Sequence, residues 1–305
     1  MRVFLSRTAL EEDIPFIDPE FYSTCPDETI EHIFRPAPRS KEPIPLLKER
    51  IAILRENGGI LVKVKHVLWN RLLRWFVLTF VDQDYGGSFA NLIRDLQQKT
   101  PNLTALDVVL KVIEVFPSFR DVTTYEGREG LPDHHSPLLS ASLTRPLSVH
   151  FLKRAQILVA ETWAAFFPSS NQIPHPILPG GGIHQLTMFA DYRVPHILHH
   201  LKILIYPPSL LALLESGHYF EHGSREEVSI RAASIVAVER VRDEILALRH
   251  QDKEIPGTVT TGGEHGVDVP VSSVLIDFFL WDIAKRMEGG EEIVVPAHRT
   301  RSIWY

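Results

Sequence analysis

The longest stretch of helical periodicity runs from Arg225 to Leu248. Ile230, Ala233, Ala237, Val238, Val241 and Ile245 recur at spacings that place them on one face of a helix. Ser224 and Glu227 stand ahead of it in the S-x-x-E order of a capping box. A second helix is predicted over Leu46 to Ile60, with Leu47, Ile51 and Leu54 aligned and Asn57-Gly58 as its stop signal. A third spans Thr104 to Phe116, where Thr104 and Asp107 hold capping-box positions and Leu106, Val109, Leu110 and Ile113 form the apolar stripe. Further helices are expected at Asp27 to Phe34, Phe151 to Phe167, Pro195 to Leu204, Pro208 to Ser216 and Ser273 to Met287. Pro195 suits a first turn, where its missing N–H has no intrahelical partner. Gly130 to Val149 and Thr258 to Gly266 read as loops, and Asn171 to Gly182 as a proline- and glycine-rich connector. Strand alternation is scarce. The expected class is mostly α, a single helical domain over residues 1–305 built from packed helices.

Composition narrows the function. Of 305 residues, 44% are hydrophobic and 23% charged, which is ordinary for a globular chain and excludes wholesale disorder. A net charge of −6 is the wrong sign for a surface that grips duplex phosphates, so a small nucleotide is favoured over a nucleic-acid polymer as partner. Cys25 is the only cysteine, which excludes an intramolecular disulfide and a cysteine-based zinc site. The apolar run Trp75 to Val81 is far short of the roughly 20 residues a membrane span needs. Met1 to Asp13 lacks the apolar core of a signal peptide. The expectation is a soluble intracellular protein, cytoplasmic, with the nucleus as a second compartment.

Several residues carry candidate chemistry. Asp191 lies in Phe189-Ala190-Asp191-Tyr192-Arg193 just before a predicted helix, where backbone N–H groups stabilise negative charge. A plain capping aspartate is the simpler reading of that residue alone, although Phe189 and Tyr192 offer faces for a flat ligand. Asp277 and Asp282 interrupt an apolar helix that also carries Phe278 and Trp281, and a buried carboxylate there is costly unless paired. Lys153 and Arg154 open an otherwise apolar helix, where a lysine can bind phosphate or tune a nearby carboxylate; a solvated first turn is the simpler reading. His196, His199 and His200, with His184 nearby, have helical spacing, but no H-E-x-x-H pattern accompanies them. Gly180-Gly181-Gly182 lacks the G-K-[ST] of a P-loop, and Cys25 has no evident histidine partner.

Six segments, taken in order, resemble one family. They are FPSFRDVTTYEG from Phe116, KRAQILVAETW from Lys153, LTMFADYRVP ending at Pro195, EEVSIRA from Glu226, DFFLWDIA from Asp277 and HRTRSIWY from His298. Together they are similar to the queuosine salvage protein family from about Ile14 to Tyr305. The resemblance implies a mostly helical fold like that of helix-hairpin-helix DNA glycosylases. It implies hydrolysis of the N-glycosidic bond of queuosine 5′-phosphate, releasing queuine for reuse in tRNA, with no metal or other cofactor. It makes Asp191 the catalytic carboxylate and Lys153 an active-site cation, and sets Phe189, Tyr192, Asp277, Phe278, Trp281 and Asp282 about the base. Lys153, Arg193, Arg299 and Arg301 are the candidates for holding the phosphate. The partners implied are the small substrate and its product, with no membrane and no stable nucleic-acid polymer. Relative to that family, the chain reads as shortened ahead of Met1 and as carrying insertions at Lys65 to Tyr85 and Arg128 to His150. The alternative function is an inactive or non-catalytic nucleotide-binding remnant; a DNA glycosylase proper is disfavoured by the acidic charge balance.

Overall fold

The computed structural model describes residues 7–36, 43–62, 88–125, 147–168, 174–254, 271–287 and 295–305. These residues are mostly helical. The chain divides into two compact units, Met1–Phe119 with Ile157–Ile183, and Arg120–Gln156 with His184–Tyr305. The expected segments Lys65 to Tyr85 and Thr258 to Gly266 lie outside the described residues, as does Arg128 to Arg145.

The first unit holds α1 (Arg7–Glu11), α2 (Pro19–Thr24), α3 (Asp27–Ile33), α4 (Leu47–Val62), α5 (Phe89–Lys99) and α6 (Ala105–Val115). Two sequence expectations need correction here. Asn57-Gly58 does not stop α4, which continues to Val62. Gly58 serves close packing instead: a Cβ built there would lie 2.7 Å from the Tyr22 ring and 2.8 Å from the Pro19 carbonyl oxygen. Helix α6 has the predicted capping box, with Asp107 N–H donating to Thr104 Oγ1 and Thr104 N–H to Asp107 Oδ2. Its buried face is Ala105, Val108, Val109 and Val112, whereas Leu106 and Leu110 are exposed. The segment is apolar on two sides, and periodicity alone does not choose between them.

Helix α7 (Lys153–Ala165) opens in the second unit, which then adds α8 (Arg193–His200), α9 (Pro208–Glu215), α10 (Arg225–Glu254) and α11 (Ser273–Met287). Its core joins Met188, Ala190, Val194, Ile197 and Leu198 with Val228, Ala237 and Val238 of α10 and Ile276, Leu280 and Ala284 of α11. Helix α8 starts two residues before Pro195 and ends at His200, earlier than the periodicity suggested. Lys202, at φ 60°, turns the chain there. The α10 cap is half formed: Glu227 N–H donates to Ser224 Oγ, but the Glu227 carboxylate is drawn elsewhere. The predicted loop ending at Val149 gives way to a strand. β1 (Val122–Tyr125) pairs antiparallel with β2 (Leu147–His150), the last four residues of the segment read as an insertion. A two-residue parallel pair joins β3 (Tyr219–Phe220) to β4 (Arg299–Thr300). No helix among the described residues is long and apolar enough to cross a membrane.

Candidate active site

The candidate site residues named in the sequence family resemblance all lie in the second unit. Asp191 stands two residues ahead of Arg193, the first residue of α8. Its Oδ1 accepts the N–H of Arg193 at 2.8 Å and of Val194 at 3.0 Å. These are the first N–H groups of the helix, which have no partner inside it. They fix the carboxylate and stabilise its negative charge. Among the described residues, Oδ2 has no hydrogen-bond partner. The residues before it are buried, Ala190 at 1% and Phe189 at 4% exposure, so the approach to Asp191 is anchored in the core.

Asp277 reaches the same segment from α11. It is buried, and its Oδ2 accepts the Phe189 N–H at 2.9 Å. Burial pushes its pKa well above the usual carboxyl range, and the negative charge of Asp191 pushes the same way. The Phe189 N–H and Lys153 pull against that shift without reversing it. Lys153, the first residue of α7, is also buried, and its Nζ donates to the Trp304 carbonyl at 2.8 Å. Burial pushes its pKa down, while Asp191 and, more weakly, Asp121 and Asp277 pull it up. Lys153, Asp191 and Asp277 therefore act on one another electrostatically.

Aromatic groups flank these residues in the sequence and pair with one another and with Arg193. Phe189 and Phe278 have ring centroids 5.8 Å apart. The Arg193 guanidinium lies 5.0 Å from the Trp281 ring and 5.6 Å from that of Tyr192, and its Nε donates to Tyr192 Oη at 3.2 Å. Asp282 is different. It is exposed, and among the described residues no hydrogen bond or ion pair joins its carboxylate to the cluster. Arg299 and Arg301 stand over Tyr219, at 5.7 and 5.5 Å from its centroid. The helix histidines are engaged with carbonyls: His196 Nε2 with Val295 O at 2.7 Å and His199 Nδ1 with Leu204 O at 2.9 Å. Among the described residues, no three His, Cys, Asp or Glu side chains gather as metal ligands do. Cys25 is buried and free, in the first unit.

Sequence reasoning missed a buried charge network. Arg231 of α10 is fully buried and bonds Asp121 through both terminal nitrogens, at 3.2 and 2.5 Å, and Glu227 at 3.3 Å. Tyr305 Oη donates to Glu227 Oε1 at 2.6 Å, and His298 Nε2 lies 3.1 Å from that hydroxyl. His222, Tyr305, Arg231 and the Gly223 N–H outweigh burial and hold the Glu227 pKa down at about 2. The signal in the sequence was an arginine set between Ile230 and Ala232 on the apolar face of α10.

Residues 4–305 match the family profile described as queuosine salvage protein. The chain is 34% identical over 307 residues to a Bos taurus protein named queuosine 5′-phosphate N-glycosylase/hydrolase, covering 97% of this chain and 68% of that one. A Mus musculus protein of the same name is 33% identical, covering 97% and 69%. A bacterial one, from Sphaerobacter thermophilus, is 31% identical, covering 98% and 69%.

Proposed function

This chain belongs to the queuosine salvage protein family, and we propose that it hydrolyses the N-glycosidic bond of queuosine 5′-phosphate and releases queuine for salvage. The observation that carries the proposal is the grouping of Asp191, Asp277 and Lys153: one carboxylate tied to a helix start, one buried carboxyl with a raised pKa and one buried amine. Two carboxyl groups whose surroundings differ in this way suit a reaction that needs a base or charge stabiliser beside an acid.

Breaking the bond to ribose builds positive charge at C1′ and the ring oxygen. The Asp191 carboxylate, fixed by two N–H groups, stabilises that charge. The bonding electron pair goes to the departing base, which must be offset there. A 7-deazapurine has carbon at position 7, so protonation of a ring nitrogen at that position is not available. Asp277, whose burial favours the protonated form, donates a hydrogen bond or the proton itself to another polar atom of the base. Water then supplies hydroxide to C1′ and a proton to restore the balance. Phe189, Phe278, Tyr192 and Trp281 supply faces for the flat base, and Arg193 and Lys153 the positive charge for the 5′-phosphate. Asp282, being exposed, is assigned only to the rim of this pocket.

The reading extends to a fold related to helix-hairpin-helix glycosylases, supported by the helical build, and to a cytoplasmic and nuclear location for a salvage enzyme acting on a small nucleotide. The intact Asp191 motif and the match over most of the chain favour an enzyme over an inactive remnant. Incubation with queuosine 5′-phosphate, followed by mass spectrometry of the free base, tests it. Queuine released by the parent and not by Asp191→Asn is the expected outcome; no queuine from the folded parent would overturn the proposal.

A further inference from the structure

Asp191 and Lys153 lie on segments well separated in the chain, and one buried side chain ties both segments together. Arg231 donates from Nε to the Ala190 carbonyl at 3.0 Å, and Ala190 immediately precedes Asp191. Its two terminal nitrogens grip the Asp121 carboxylate. The main-chain carbonyl of Asp121 in turn accepts the N–H of Phe151 at 2.9 Å and of Leu152 at 3.2 Å. The next residue is Lys153. Leu152 sits at φ 51°, a left-handed conformation that a leucine keeps only when its surroundings hold it. The guanidinium also lies 3.9 Å from the centroid of the Phe151 ring. On its far side Glu227 binds Arg231 and receives the Tyr305 hydroxyl, and the neighbouring Trp304 carbonyl receives Lys153 Nζ. Four of the five N–H groups of the guanidinium are therefore engaged, each on a group that leads to the site.

We propose that Arg231 is a positioning residue for the glycosidic cleavage: through Ala190 on one side and Asp121 on the other, it sets Asp191 and Lys153 in register. This rests on the reaction proposed above. Arg231 touches neither substrate nor reacting atoms in this account. Its planar fork fits the carboxylate and the carbonyl at once, and an ammonium does not. A displacement of about 1 Å at a reacting group costs on the order of a hundredfold in rate, so loss of the register falls on turnover more than on binding.

The test is Arg231→Lys in the full chain, which keeps the buried charge beside Asp121 and Glu227 but loses the Nε donor and the fork. Release of queuine from queuosine 5′-phosphate gives kcat and KM, and hydrogen–deuterium exchange is followed in peptides covering residues 186–194 and 151–156. The expected result is a kcat lowered roughly thirtyfold or more with KM within about threefold, and faster exchange in both segments. A folded Arg231→Lys whose kcat stays within about threefold of the parent, or whose KM alone rises, overturns the proposal. If the parent itself releases no queuine, the reaction assignment has failed, and exchange still decides the positioning role: faster in both segments supports it, unchanged in either refutes it. If Arg231→Lys does not fold, Asp121→Asn takes its place, since it preserves side-chain shape and the main-chain carbonyl. The same signature is then expected with a kcat drop of about tenfold, and its absence refutes the role equally.

Discussion

Titration of His298 sets how the second unit responds to acid. The side chain is 5% exposed, and its Nε2 donates to Tyr305 Oη, whose own proton goes to Glu227. Burial pushes its pKa from 6.5 down to about 4; Glu227 opposes the shift, and Arg231, Lys153 and His196 reinforce it. The unfolded chain takes up this proton below about pH 6.5, the folded chain only near 4. Between those values the unfolded state binds more protons, so the stability present above pH 6.5 is lost as pH falls toward 4. At 1.36 kcal/mol per pH unit, the whole interval amounts to about 3 kcal/mol, a large share of a typical stability of roughly 5–15 kcal/mol. Glu227 acts in the same direction in a lower window, from its ordinary 4.5 to about 2, so the two are separable. His298→Gln keeps an N–H donor for Tyr305 and removes only the imidazole titration. Urea unfolding followed by far-UV circular dichroism, at steps from pH 7.5 to 4.5, compares the two proteins. The parent is expected to lose about 2–3 kcal/mol more than the variant across that range. Parallel stability curves would refute the reasoning, because they would mean that His298 takes its proton equally well in both states.

Three further outcomes are expected. Asp191→Asn keeps an oxygen for the Arg193 and Val194 N–H groups, so the fold should hold while kcat for queuine release falls about a hundredfold or more; near-normal turnover would remove Asp191 from the chemistry. Asp277 has a raised folded pKa, so the stability it contributes is present in acid and lost as pH rises above its ordinary 3.8. Asp277→Asn should therefore resist urea better than the parent at pH 7 while turnover drops about a hundredfold, and a variant both less stable and fully active would contradict both halves. Gly58→Ala brings a Cβ against Tyr22 and Pro19. Overpacking of about 1–3 kcal/mol should outweigh a helix-propensity gain of about 1 kcal/mol, so thermal unfolding should shift down, and an upward shift would show that α2 yields.

Helix existence was legible because amphipathic spacing and caps are local. Ser273–Met287 has the bounds that the sequence gives it, and Thr104 with Asp107 forms the capping box its spacing announces. What the local pattern does not carry is the choice of partner. Leu106 and Leu110 repeat as regularly as Val108 and Val112, and only packing decides which pair is covered. Gly58 reads as a helix stop because backbone freedom is a property of the residue, whereas the close approach of α2 is a property of the fold. The strands escaped notice for a related reason. Leu147–His150 is too short and too exposed, and Tyr219–Phe220 too short, to show an alternating face, and each is a strand only by virtue of a partner remote in sequence.

The same distinction divides the site. Asp277 stood out because a carboxylate within DFFLWDIA is expensive to bury, and the structure places it in the core; Asp282 carried the same sequence signal, yet it is exposed. Glu227 and Arg231 are i and i+4 on one helix, the spacing of an ordinary surface ion pair, and Ser224 offers Glu227 a capping role that hides its other use. Asp121, the group that makes a buried Arg231 tolerable, lies 110 residues earlier. A charged triad with no solvent contact is a poor source of stability, since desolvation offsets much of the Coulomb gain, while removing one member leaves an unpaired buried charge. Hydrophobic residues of similar volume would fill the same space. They would not donate to the Ala190 carbonyl beside Asp191, nor hold the Asp121 turn that precedes Lys153. The network is thus better explained by the placement of the proposed reacting groups than by the stability of the helices it joins.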